Sequence, residues 1–256
     1  MPTALVTGAT AGIGAAFTRH LAAAGYGLVV VARDVERLHQ VRATLLSFGA
    51  PDVEILAADL VDPAQRAVVA ARLERGGIDL LVNNAGVGLG KDFLGATEAE
   101  LLAQLEINVT ALMLLTHAAL PAMVAAGHGG VINVASVAGL IPGRGTTYAA
   151  SKAFVISLSE GLAMSLAHTG VRVQALCPGF VRTEFHRRAA IDMSKAPARA
   201  YVDIDELVVT SLRDLRANKI VSVPGRLYAT IAVVTRLLPR AMVRKFGARV
   251  NNRGRT

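Results

Sequence analysis

The chain has no tryptophan, one cysteine and few aromatic residues of any kind, 4% of its 256 positions. Cys177 alone cannot close an intramolecular disulfide, so the fold must rest on a packed core, in keeping with a reducing, cytoplasmic compartment. Acidic residues stop at Asp214, and ten Lys or Arg follow; with a net charge of +8 overall, the first 214 residues sum to −2. The basicity therefore belongs to the tail. That tail carries neither a nucleic-acid module nor interleaved aromatics, so nucleic acid is set aside as a partner. Solvated charge is the first reading there, with a membrane surface or an anionic substrate behind it. There is no internal repeat and no low-complexity linker. Met1 is followed almost at once by an apolar run, which leaves no room for an export signal, and no metal site is expected.

What is present is an apolar fraction of 53%, mostly Ala, Val and Leu. Strand-like runs recur at about 3–7, 27–32, 53–57, 78–82, 130–135, 171–176 and 219–223, and helical spacing fills 12–24, 34–48, 63–75, 98–126 and 148–168. Strands and helices that alternate in this way, with strands apolar along their whole length, predict a doubly wound, Rossmann-like parallel sheet of about seven strands. One domain over 1–225 is expected, followed by a basic, apolar, helical extension over 226–256. Ligands of such sheets lie at the carboxyl ends of the strands, where the distinctive motifs of this chain also fall.

After the first strand comes TGATAGIG, with Gly8, Gly12, Ile13 and Gly14. Glycines let backbone approach a pyrophosphate, and the amides of the following helix face the anion. The second strand ends in LVVVARD. A guanidinium at Arg33 can bind a 2′-phosphate where a carboxylate would bind ribose hydroxyls, which favours NADP(H) over NAD(H). Asp34 adds an opposing charge beside it. Asp59-Leu60 closes the third strand, and Asn83, Asn84, Ala85 and Gly86 close the fourth. Asp59 is suited to accept from an adenine amine and the Asn-Gly turn to lie beside a ribose, although Asp, Asn and Gly also dominate ordinary turns.

Tyr148 and Lys152 share a helix face in TTYAASK, twelve residues beyond Ser136. At i and i+4 a phenol and an ammonium can act on one bound molecule, and the ammonium would pull the phenol's titration down toward neutrality. Ser136 would orient the substrate oxygen and the phenol. Asn108 falls inside the expected helix at 98–126, where asparagine is a poor helix former.

These motifs together resemble the short-chain dehydrogenase/reductase family over about residues 3–225: TGATAGIG, Asp59-Leu60, NNAG at 83–86, Asn108, Ser136, YAASK at 148–152 and Pro178-Gly179. The resemblance implies a nicotinamide cofactor and a catalytic set of Asn108, Ser136, Tyr148 and Lys152. It further implies that Lys152 binds the nicotinamide ribose, that Asn108 holds a water leading from Lys152 to solvent, and that Pro178, Gly179, Phe180, Val181 and Thr183 lie beside the carboxamide. The stretch from Glu184 to about Ala200 would then cover the substrate. Leu140, Ile141, Phe180, Phe185, Ile191 and Met193 are candidates for an apolar pocket wall. Ser136 and Tyr148 stand one residue closer than in many relatives, a difference that the Gly-rich GLIPGRGTT can absorb as a loop.

The expected activity is NADPH-dependent reduction of a lipophilic ketone, such as a 3-ketoacyl or steroid-like carbonyl, to its alcohol. A homodimer or tetramer built on the helices near 98–126 and 148–168 is expected with it. The rival readings are a non-catalytic NADP-binding sensor and a sugar-nucleotide epimerase or dehydratase. Residues 227–246 alternate apolar stretches with arginines, and Arg236 and Pro239 argue against a bilayer span. An interfacial helix giving peripheral membrane contact remains an alternative to a final packed helix.

Overall fold

The computed structural model describes residues 1–140, 147–185 and 200–238. The pocket-wall candidates Ile141, Ile191 and Met193, most of the covering stretch and the tail beyond 238 lie outside the described residues.

Seven strands form one parallel sheet. They are β1 (Thr3–Thr7), β2 (Gly27–Ala32), β3 (Val53–Ala57), β4 (Leu80–Asn83), β5 (Gly129–Val134), β6 (Val171–Leu176) and β9 (Val221–Ser222), in the order β3-β2-β1-β4-β5-β6-β9. Two short strands, β7 (Phe180–Val181) and β8 (Tyr201–Val202), pair in parallel apart from it. The strand order reverses between β1 and β4, so the crevice at their carboxyl ends is the natural ligand seat. The last strand is shorter than its apolar run. Asn218 takes a left-handed conformation (φ 54°) and the Lys219 amide donates to the Asp214 carbonyl, so those residues close the preceding helix and do not start the strand.

Because side chains alternate along a strand, β1 sends Ala4 and Val6 to one face and Leu5 to the other, all fully buried. On the first face lie α1 (Gly12–Ala23), α2 (Val35–Ser47) and α7 (Ile204–Arg216), with Phe17, Leu38 and Leu207 in the core. On the second lie α3 (Pro63–Glu74), α5 (Leu112–Ala126) and the end of α6 (Thr147–Ser165). Each large side chain so buried contributes about 1.5–3 kcal/mol. The final described helix, α8 (Arg226–Leu237), begins beyond the expected boundary at 225, yet its Tyr228 packs into the first core.

Side chains start four of the helices. Asp34 caps α2, Asp62 caps α3 with Pro63 in the first turn, Asp203 caps α7, and Thr97 with Glu100 makes a capping box at α4 (Glu98–Leu105). Helix α1 has no such cap. Its N-cap is Ala11, with no side-chain cap and no acid in the first turn, so its N–H groups and positive dipole end stay available to an anion.

The run over 98–126 is helical throughout but not uniformly α. Residues Glu106–Ala111 form a π-helical segment between α4 and α5. Asn108 supplies the reason: Oδ1 accepts the Val87 N–H at 2.9 Å while Nδ2 donates to the Val87 carbonyl at 2.9 Å and to Ser151 Oγ at 3.3 Å. A loop residue thus occupies both ends of the asparagine amide and holds the helix in its wider turn. The same run is long and apolar enough to cross a bilayer, but in this fold Leu112, Leu115, Ala118 and Met123 pack inside the protein.

Candidate active site

The carboxyl ends of the sheet strands build the site. β1 ends in Thr7, whose Oγ1 accepts from the backbone N–H groups of Asn84 (2.9 Å) and Ala85 (3.0 Å). Asn84 Nδ2 in turn donates to the carbonyls of Thr7 (2.9 Å) and Gly8 (3.2 Å). Asn84 and Ala85 therefore spend their polar groups bracing the glycine turn across the strand-order reversal. Thr7 was absent from the expected set; a hydroxyl ending a buried strand was the only signal it gave.

The glycine turn is tightly closed. Gly8 and Gly12 have φ of 64° and 54°, which side chains other than glycine rarely adopt. A Cβ on Gly14 would lie 2.3 Å from the Gly8 carbonyl oxygen and 2.5 Å from Asn84 Nδ2. Thr183, beyond β7, lies against Gly12, at 3.2 Å from where its Cβ would be. A cavity of about 640 Å³ opens here, lined by Thr10, Ala11, Gly12, Arg19, Arg182 and Thr183 among others. An uncapped helix N-terminus, a glycine cradle and two arginines suit a dinucleotide pyrophosphate. Ile13 sits in the first turn of that helix, partly buried.

At the end of β2 Arg33 has a side chain 70% exposed, its Nη1 3.8 Å from Asp59 Oδ2. Asp34 turns away and accepts the Arg37 N–H at 3.0 Å as the cap of α2. The two neighbours thus separate, one cation outward and one anion into a helix start. Asp59 Oδ1 accepts the Val61 N–H at 3.1 Å, the ordinary turn role. Leu60 has its side chain in the core and its carbonyl on Arg66, at 2.9 Å. Arg37, not among the expected residues, pairs with Glu184 at 3.6 Å and links α2 to the turn after β7.

The residues expected to be catalytic meet at the end of β5. Ser136 accepts the Ala138 N–H at 3.1 Å, which fixes the turn after the strand, and its side chain hydrogen-bonds Tyr148. One helical turn on, Lys152 is 4% exposed. Its Nζ donates to the Val134 carbonyl at 2.8 Å and lies 5.8 Å from the centre of the Tyr148 ring. Gly86 lies between Asn108 and Lys152, and its missing Cβ would be 2.9 Å from Asn108 Oδ1 and 3.5 Å from Lys152 Nζ. The four expected residues are brought together. Phe185 joins them, its ring 5.7 Å from that of Tyr148, while Val181 packs into the core and the Pro178 carbonyl takes the Val137 N–H at 3.1 Å. Leu140 packs against the small cluster of Val155, Ile156 and Cys177.

The electrostatics differ from the expectation. Burial raises the Tyr148 phenol above its ordinary value, and the Ser136 hydrogen bond only partly opposes this. Lys152 yields instead: burial lowers its ammonium to about 8, with Cys177 opposing. In the protein alone desolvation outweighs any pull of the ammonium on the phenol. The consequence is a phenol that holds its proton at neutral pH, the form needed to donate to a developing alkoxide, beside a lysine that is charged below pH 8. Among the described residues no cluster of His, Cys, Asp and Glu has the makings of a metal site.

The short chain dehydrogenase family model matches residues 2–193. The chain belongs to the short-chain dehydrogenase/reductase family. This short-chain dehydrogenase is a carbonyl/alcohol oxidoreductase. It is 43% identical over 197 residues to a Streptomyces violaceoruber protein named as a ketoacyl reductase of granaticin polyketide synthase, a match covering 73% of this chain and 70% of the relative. Among solved structures it resembles a short-chain dehydrogenase of Sphingobium yanoikuyae in complex with NADPH, with TM-score 0.84, 35% identity and coverage of 100% of this chain and 96% of that one. It also resembles the bulky-bulky ketone specific alcohol dehydrogenase of Comamonas testosteroni, with TM-score 0.79, 29% identity and coverage of 100% and 95%.

Proposed function

We propose that the protein is an NADPH-dependent reductase of a lipophilic ketone, of the 3-ketoacyl or steroid-like kind, that returns the alcohol. The observation that carries the reading is Tyr148, hydrogen-bonded to Ser136 with Lys152 5.8 Å from its ring centre, beside an anion-ready glycine cradle. When bound, the nicotinamide supplies the hydride. Tyr148 delivers its proton to the carbonyl oxygen, Ser136 holds that oxygen and then the phenolate, and Lys152 stabilises the phenolate by charge. Phe185 beside Tyr148 and the exposed ring of Phe180 favour an apolar substrate. The ketoacyl reductase of S. violaceoruber and the ketone-specific enzyme of C. testosteroni support the same class.

NADPH consumption across ketones of rising apolar size, with a steroid and a 3-ketoacyl thioester included, tests this reading. Each additional buried methylene should raise kcat/KM roughly fourfold, the equivalent of about 0.8 kcal/mol. Turnover indifferent to size, or turnover with NADH only, would overturn it.

The preference for NADPH is assigned to Arg33, exposed at the end of β2 and relieved of Asp34. A charge-assisted contact with the 2′-phosphate is worth about 1.5–3 kcal/mol, so Arg33→Asp should weaken NADPH binding by about 10- to 100-fold and leave NADH within a few-fold. Equal losses for the two cofactors, measured by fluorescence titration, would remove the assignment. A homodimer or tetramer through α5 and α6 fits the exposed Met113, Leu114, Val124, Phe154 and Met164 on those helices.

A further inference from the structure

The segment that follows β6 is held by a residue of the C-terminal helix. Tyr228, on the first turn of α8, donates its hydroxyl to the Ala200 carbonyl at 2.7 Å and accepts the Phe180 N–H at 3.3 Å. Its ring stands edge-on to Phe180, centroids 6.3 Å apart at 86°. The same ring fills the space beside Gly179, where a Cβ would come within 2.1 Å of Cε2 and 2.3 Å of Cδ2. Gly225, at φ 91°, makes the sharp turn that delivers α8 to this place. One side chain thus touches the residue after Pro178, the first residue of β7 and the residue before β8. Burial raises the phenol of Tyr228 and keeps its hydroxyl a neutral donor.

The turn so fixed is the one that carries Thr183 against Gly12, and the Pro178 carbonyl ties it to the turn opened by Ser136. We propose that Tyr228 is a positioning residue: through the Gly179–Phe180 turn it sets the nicotinamide end of the cofactor seat relative to Ser136 and Tyr148. This rests on the NADPH-dependent reading above. The glycine turn, the start of α1 and Arg33 hold most of the phosphate and adenosine seat without touching Tyr228, and only Arg182 and Thr183 beyond the turn reach the same cavity. A displaced turn should therefore cost rate far more than affinity, because misplacement of reacting groups by about 1 Å can cost 10²-fold in rate.

The test is Tyr228→Phe, which keeps the ring and removes the bridging hydroxyl. The expected result is a kcat for ketone reduction lowered by about 10- to 100-fold, with the dissociation constant of NADPH within about threefold of wild type. The emission of bound NADPH, which reports the surroundings of the nicotinamide, should shift. Binding of 2′-phospho-ADP-ribose, which lacks that ring, should be unchanged. Gly179→Ala presses on the same contact from the other side and should give the same signature, should Tyr228→Phe fold poorly. Unchanged kcat and emission, or equal losses of affinity for NADPH and the fragment, would overturn the role of Tyr228 alone. Wild type that binds no NADPH would overturn the cofactor reading and this proposal with it.

Discussion

Tyr148→Phe should bind NADPH as the wild type does and reduce ketones about 10³-fold more slowly. The substitution removes one oxygen from a ring that is otherwise packed against Phe185, so fold and cofactor seat have no reason to change. What is lost is the only proton positioned by Ser136 at the end of β5. Hydride arrival at the carbonyl carbon then develops an alkoxide that the Ser136 hydroxyl can still hydrogen-bond but that Tyr148 no longer protonates. Stopped-flow turnover beside equilibrium binding separates the two effects, and near-normal turnover would take Tyr148 out of the mechanism. The pH profile gives a second check. Lys152, lowered to about 8 by burial, is fully charged well below that pH and loses its charge as pH rises through it. Its support of the phenolate is lost in the same direction, so wild-type reduction should decline above pH 8. A rate that climbs through pH 8 would contradict this.

Gly14→Ala should reduce NADPH affinity by more than about 100-fold, because backbone alone surrounds the added methyl group on one side. The Cβ would stand 2.3 Å from the Gly8 oxygen and 2.5 Å from Asn84 Nδ2, so the turn, the brace from β4, or both must move. Asn84 holds the carbonyls of Thr7 and Gly8, and any shift pulls the first turn of α1 away from the phosphates. The adenosine end at Arg33 stays in place. The loss should therefore be shared by NADPH and NADH, the opposite of the pattern expected for Arg33→Asp. Titration of both cofactors with thermal unfolding of the variant decides the matter. Full affinity in a folded variant would show that the cradle does not hold the phosphates.

Much of this was legible in the chain. Apolar runs separated by helical spacing specify a parallel sheet because both faces of every strand are covered, and a period of that kind survives in sequence. Glycines at 8, 12 and 14 point to a close backbone approach from residue order alone, since no other residue accepts one at that density. Tyr148 and Lys152 are placed on one face by helix geometry alone, and the order of the motifs supplies the family. In each case the information is local: a run, a turn, or one helical turn of separation.

What sequence could not carry is whatever depends on segments far apart in the chain. That Arg33 comes within 3.8 Å of Asp59 depends on β2 and β3 lying side by side in the sheet. That Asn108 bends its helix into a π segment depends on Val87, in a loop 21 residues earlier. The brace of Thr7 on Asn84 and Ala85 joins β1 to β4 across the reversal in strand order. The sign of the Tyr148 shift was misjudged because proximity of an ammonium is visible in a motif, whereas desolvation by the whole surrounding fold is not. Tyr228, in a tail that reads only as basic and apolar, is placed against Gly179 by packing alone. The sheet, the glycine turn and the Tyr148–Lys152 pair follow from backbone periodicity and local sterics, so they can be read in residue order. Which polar groups are braced, which are buried and which are left to meet a ligand arises instead from contacts between distant segments and from the exclusion of water that they create.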